Sequence, residues 1–155
     1  MKIRKAQLND IDRLLELLHE VHKIHARKRP DIFKRRKQKY YKKDLEKILE
    51  NDLTPVWVAE EKKNVVGYIF CIYEEVKDHT SLSDRKTMYI DDLCVDKDFQ
   101  GKHIGTELYN YAKMMAKSNG CYDITLNVWN LNPTAFKFYE KLGMVPRKVM
   151  MEEIL

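Results

Sequence analysis

Apolar residues recur along the chain with two periods, and the switches between them mark out its elements. Ile11, Leu14, Leu15, Leu18, Val21 and Ile24 share one stripe at three- and four-residue spacing. This predicts a helix over residues 11–25, capped by Asn9 or Asp10 and ending before Pro30. A second helix is predicted over residues 41–51, with Leu45, Ile48 and Leu49 inward. A third carries Ile104, Leu108, Tyr111, Ala112 and Met115 and stops at Gly120. The fourth opens at the Asn132-Pro133 pair, turns Ala135, Phe138, Tyr139 and Leu142 to one face, and stops at Gly143. Runs rich in β-branched and aromatic residues predict strands over residues 2–5, 56–60, 65–75, 88–95, 123–128 and 147–153, the second and third joined as a hairpin by the short link Lys62-Lys63-Asn64. Residues 76–85 read as a polar, acidic loop. The order β-α-α-β-β-β-α-β-α-β, with hairpins early and crossovers late, predicts an α+β, α/β-like fold: a mixed sheet of six to seven strands flanked by about four helices.

Composition narrows the setting. A chain of 155 residues, 44% hydrophobic and 34% charged, suits one globular domain spanning residues 1–155. The longest apolar run, residues 65–73, is far short of the roughly 20 residues a membrane helix needs. The charged start MKIRKAQLND leads into no apolar segment, so a cytoplasmic protein without membrane association is expected. Cys71, Cys94 and Cys121 are odd in number and widely spaced in apolar surroundings, which predicts reduced, buried thiols. His19, His22 and His25 drift around the first helix without a carboxylate at a diagnostic spacing, and no metal is expected.

The net charge of +5 changes the picture locally, because residues 23–43 are densely basic with Asp31 as their one acid. Such a run serves as a solvated face, or meets cofactor phosphates or an acidic acceptor. Phe33, Tyr40 and Tyr41 interleave with the cations as in a single-strand platform, but no nucleic-acid motif accompanies them and nucleic acid is not expected as a partner.

The chemistry concentrates in residues 88–108, MYIDDLCVDKDFQGKHIGTEL, where a strand feeds a glycine-bearing loop at a helix N-terminus. Such a junction points backbone N–H groups and the positive helix end outward, as an anionic phosphate requires. Neither the GxxxxGK[ST] loop nor the GxGxxG fingerprint is present. Gln100 to Gly105 instead resembles the pyrophosphate signature Q/R-x-x-G-x-G/A of the GNAT superfamily of acyl-CoA-dependent N-acetyltransferases, with His103 in place of its first glycine. Asn132, Ala135, Phe138, Tyr139 and Gly143 are similar to the family's second signature, N-x-x-A-x-x-F-Y-x-x-x-G-F, with Met144 at the aromatic position. Taken singly, Asn132 reads as a helix cap and Tyr139 as a core aromatic.

The resemblance covers essentially the whole chain and implies direct transfer of an acetyl group from acetyl-CoA to an amine in a ternary complex. It assigns Leu93, Cys94 and Val95 to the pantetheine arm and acyl carbonyl, and Gln100, Gly101, Lys102, His103, Ile104, Gly105 and Thr106 to the pyrophosphate. Asn132 and Phe138 join the cofactor site by their places in the second signature, and Tyr139 is nominated as proton donor to the departing thiolate. A carboxylate must take a proton from the acceptor, and Asp91 and Asp92 are the candidates, Asp91 being favoured. Neighbours in a regular strand face opposite ways, so one of the two should face the acyl group unless a bulge intervenes. The acceptor is left open between a small-molecule and a peptide amine, and exposed sheet edges are compatible with a homodimer. A non-catalytic acyl-CoA-binding or sensing module and a basic nucleic-acid-associating protein are the competing readings.

Overall fold

Two strands, apolar on both faces, dictate the architecture. In β2 (Val56–Glu61) and β3 (Asn64–Val76), alternate residues point to opposite faces and residues 56–59 and 65–71 are all buried, so helices must cover both sides of the sheet. The computed structural model describes residues 1–155 and shows this arrangement. β1 (Lys2–Lys5), β2, β3, β4 (Arg85–Val95) and β5 (Asp123–Leu126) lie in sequence order across one sheet, antiparallel as far as β4, with β5 parallel to β4. On one face, Leu14, Leu17 and Leu18 of α1 (Ile11–Lys28) and Leu45 of α2 (Lys42–Glu50) pack on Val56, Val58, Tyr68 and Phe70. On the other, Leu108, Tyr109 and Ala112 of α3 (Ile104–Ser118) pack on Trp57, Ile69, Cys71, Met88 and Ile90; residues of α4 (Pro133–Lys141) lie against the same cluster.

Local chemistry sets the boundaries. Lys62 and Lys63, at φ +49° and +67°, form a two-residue turn that continues the strand twist, so Asn64 joins β3 rather than the link. Gly120 ends α3 in a left-handed conformation, with Gly120 N–H to Lys117 O (3.1 Å) and Cys121 N–H to Ala116 O (2.9 Å). Gly143 ends α4 in the same way.

The sheet has five strands, not six to seven. Residues 147–153 form no strand: Val149, Met150 and Met151 are consecutive and exposed, so the segment offers no alternating face to bury. Side-chain ion pairs hold it instead, Arg147 to Asp123 and Glu152 to Arg29. β5 is also two residues shorter than the alternation suggested. No helix is long and apolar enough to cross a membrane. The three cysteines are unpaired, but only Cys71 is fully buried.

Candidate active site

β4 is paired along its full length with β3 but with β5 only from Thr87 to Ile90. The ladder stops at Ile90 because its partner Leu126 is the last residue of β5, and this divergence leaves residues 91–95 without a strand partner on that side. The divergence coincides with a bulge: Phe70 pairs with Asp92 and Cys71 with Ile90, so Asp91 has no partner. An inserted residue turns the following side chains over. Asp92 and Cys94 therefore pair with Phe70 and Tyr68 on the α1/α2 face, while Leu93 and Val95 pack on the α3/α4 face.

The bulge also resolves the two aspartates. Tyr40 O–H donates to Asp91 Oδ2 (2.6 Å), and Tyr40 itself stacks on Phe70 at 5.9 Å. Lys39 Nζ lies 2.9 Å from Asp91 Oδ2 and 4.0 Å from Asp92 Oδ2, and donates to the Asp91 carbonyl (3.0 Å). Both carboxylates thus converge on one ammonium instead of facing opposite ways. Burial pushes the Asp92 carboxyl up to about 6, against the opposing pull of Lys39. The Tyr68 hydroxyl beside it is buried without a hydrogen-bond partner. Burial likewise pushes the Cys94 thiol up to about 12.

Past Val95 the chain is clamped before it turns. Asp96 accepts from Arg13 of α1 and from Asp98 N–H, and its own N–H donates to Val66 O (2.9 Å). Gln100 Nε2 reaches back to Val95 O (3.3 Å), so its side chain braces the loop, and Lys102 Nζ sits 4.5 Å over the Phe99 ring. Gly101 (φ +78°) and His103 (φ +61°) both adopt left-handed conformations. His103 takes the backbone shape a glycine would take, at a cost of about 1–2 kcal/mol. None of the backbone N–H groups from Gly101 to Thr106 has an acceptor within the chain, and the first donor of the helix is Glu107, to His103 O (3.0 Å). Six consecutive free N–H groups at the positive end of a 15-residue helix suit a pyrophosphate. Ile104 is buried and anchors that turn.

Gly105 serves a second purpose. A Cβ there would lie 3.3 Å from the Phe138 ring and 3.7 Å from Leu93 Cδ2, so the missing side chain lets α4 approach the cradle. Phe138 packs edge-on against Tyr139 (5.0 Å), which lies on the α3/α4 face near Tyr109. Burial, reinforced by the Asp92 charge, raises the Tyr139 phenol above its ordinary value, so it stays protonated at neutral pH. Asn132 is engaged as a cap, its Oδ1 accepting from Ala135 N–H (3.2 Å).

Several residues of the site carried no recognisable sequence signal. Lys39 lay in the basic run without distinction, and Phe33 and Tyr40 stood out there only as aromatics interleaved with the cations. Phe33 stacks on His25 (5.1 Å) and meets Trp129 edge-on (5.1 Å), and Lys28 Nζ donates to Leu131 O, so the α1–α2 connection closes onto the β5–α4 loop. These contacts wall the α1/α2 side of the divergence. Phe33 and Tyr40 are thereby half-buried, the latter against Phe70, while Tyr41 stays exposed.

The sequence profile of the Acetyltransferase (GNAT) family matches residues 18–144. An uncharacterized N-acetyltransferase of Methanocaldococcus jannaschii is 28% identical over 148 residues, covering 96% of this chain and 62% of that protein. A glucosamine 6-phosphate N-acetyltransferase of Arabidopsis thaliana is 34% identical over 68 residues, covering 44% of each. The chain therefore spans less than two thirds of the length of either relative. The crystal structure of a mutant of a Bacillus halodurans protein superposes with a TM-score of 0.96 at 29% identity, covering 100% of this chain and 99% of that one.

Proposed function

The chain belongs to the GNAT acetyltransferase family, and from that premise we propose that it moves an acetyl group from acetyl-CoA directly to a primary amine in a ternary complex. The observation that carries this reading is the conjunction of the β4–β5 divergence with six acceptor-free N–H groups on the loop that follows. The residues fit the donor: the unpaired edge at Leu93, Cys94 and Val95 is the length of backbone a pantetheine amide and an acyl carbonyl would bind. Gly101 to Thr106 would hold the pyrophosphate. When bound, acetyl-CoA supplies a thioester carbonyl and a thiol leaving group.

The chain's own groups divide the remaining work by face. Asp91 and Asp92, on the α1/α2 side, orient the incoming ammonium and take its proton; Asp92, near 6, is ionised at neutral pH yet basic enough to accept one. Tyr139, on the α3/α4 side, keeps a proton to give to the departing sulfur. The amino-sugar relative supports a small-molecule primary amine as acceptor.

Calorimetric titration with acetyl-CoA tests the reading, using Thr106→Pro as the variant. Position 106 lies in the first helical turn, where proline is tolerated and its missing N–H removes no intrahelical bond. A charge-assisted hydrogen bond is worth about 1.5–3 kcal/mol, so affinity should fall about 10- to 100-fold while the melting temperature holds. Failure of the parent protein to bind acetyl-CoA, or unchanged affinity in the variant, would overturn this assignment.

A further inference from the structure

We propose that Lys39 is itself an acetyl acceptor: the protein modifies its own Lys39 side chain, and in doing so discharges the ion pair that fills the α1/α2 side of the site. This rests on the acetyl-transfer reading above.

Lys39 already occupies the position of a substrate amine. Its ammonium touches the Asp91 carboxylate and lies 4.0 Å from that of Asp92. It also takes the Asp91 carbonyl, which the bulge has released from the ladder. These are the groups assigned to an incoming amine. Two other cations of the basic run are engaged elsewhere, Lys28 with Leu131 O and Arg29 with Asp31 and Glu152, and Lys39 is the cation of the run that pairs with Asp91. Leu93, assigned to the acyl carbonyl, is two residues beyond Asp91, about 7 Å along a strand and within the swing of a four-carbon stem. Lys39 has room for that swing: it stands in the irregular connection between α1 and α2, and its side chain is 36% exposed. The Tyr68 hydroxyl, fully buried beside Asp92, is a further polar group within this site.

The step balances without an outside reagent other than acetyl-CoA. The ammonium loses one proton to the carboxylate pair and from there to solvent. The nitrogen then attacks the thioester carbonyl carbon, a C–N bond forms, and the C–S bond breaks with its electron pair going to sulfur. The second nitrogen proton ends on that sulfur, giving the free thiol. The product amide is neutral and no longer pairs with Asp91, which leaves both carboxylates open to an external amine.

The test is incubation of the full chain with acetyl-CoA and no added amine, followed by intact mass measurement and peptide mapping. One acetyl increment on Lys39 is expected, accumulating at a rate per molecule independent of protein concentration. It should be absent in Lys39→Arg, which keeps the ion pair and so the fold. Acetyl-CoA binding and acetylation of an added primary amine with Lys39 unmodified would overturn this proposal alone. Increments scattered over exposed lysines, at a rate rising with protein concentration, would overturn it too. Absence of acetyl-CoA binding in the calorimetric titration would instead bring down the acetyl-transfer reading on which it stands.

Discussion

At Asp92, function and stability pull in opposite directions. Its side chain is 14% exposed, and burial raises its folded pKa to about 6 against roughly 3.9 for a free aspartate. A raised folded pKa means that the protonated group favours the folded state. Its contribution is fully present below about pH 4 and is lost as pH rises through about 6. Asp92→Asn should therefore stabilise the protein by about 1–3 kcal/mol at pH 8 and by less at pH 5, while amine acetylation falls. Thermal melts at the two pH values decide it, since a larger gain at pH 5 would show that burial does not set this carboxyl. His103 shows the opposite relation between residue and backbone. Its identity breaks the family pattern, but it keeps the left-handed φ and the free N–H that the proposed pyrophosphate cradle uses.

Among the elements, the relation of β3, β4 and β5 creates the site, and Gly67 is where it is most tightly held. A Cβ at Gly67 would come within 2.9 Å of the Cys94 carbonyl oxygen and 3.3 Å of Leu108 Cδ1. Because the first of these contacts is backbone, an added methyl must push β3 away from the β4 segment that borders the divergence. Gly67→Ala should cost about 1–3 kcal/mol in denaturant unfolding and weaken acetyl-CoA binding, with the far-ultraviolet spectrum unchanged. Unaltered stability would show that the strands have slack there. α1, α2 and α3 were legible from their stripes because each buries one face against the sheet, and α4 from its Asn132-Pro133 start and Gly143 stop, its apolar face being only half-buried. The expected final strand was not, because pairing depends on a free edge and an alternating face, and residues 147–153 supply neither well enough to displace their ion pairs.

For the molecule as a whole, the excess of positive charge acts less directly than its size suggests. The net charge of +5 would draw the proposed anionic coenzyme at long range, but the proposed cradle consists of backbone N–H groups, whose contacts salt screens little. Raising salt from about 50 mM to about 500 mM should thus weaken acetyl-CoA binding by about tenfold or less. A much steeper loss in calorimetric titrations would shift the binding energy from the loop to the lysines.

The order of elements as far as α4 and the glycine-bearing loop at the start of α3 were legible in the sequence, because periodicity and glycine placement are properties of neighbours along the chain, and the nomination of Tyr139 and the preference for Asp91 came with the family resemblance. Three things were decided only by the fold. The bulge at Asp91 turned two carboxylates to one face, which depends on how β4 registers against β3. The ending of the β4–β5 ladder at Ile90 exposed the edge of residues 91–95, which depends on the path of a strand more than thirty positions away. The ammonium of Lys39 came to rest between the aspartates, although nothing local distinguishes it from the lysines around it. Each is a contact between segments distant in sequence, and such contacts are chosen by the packing of the whole chain rather than by the residues that make them.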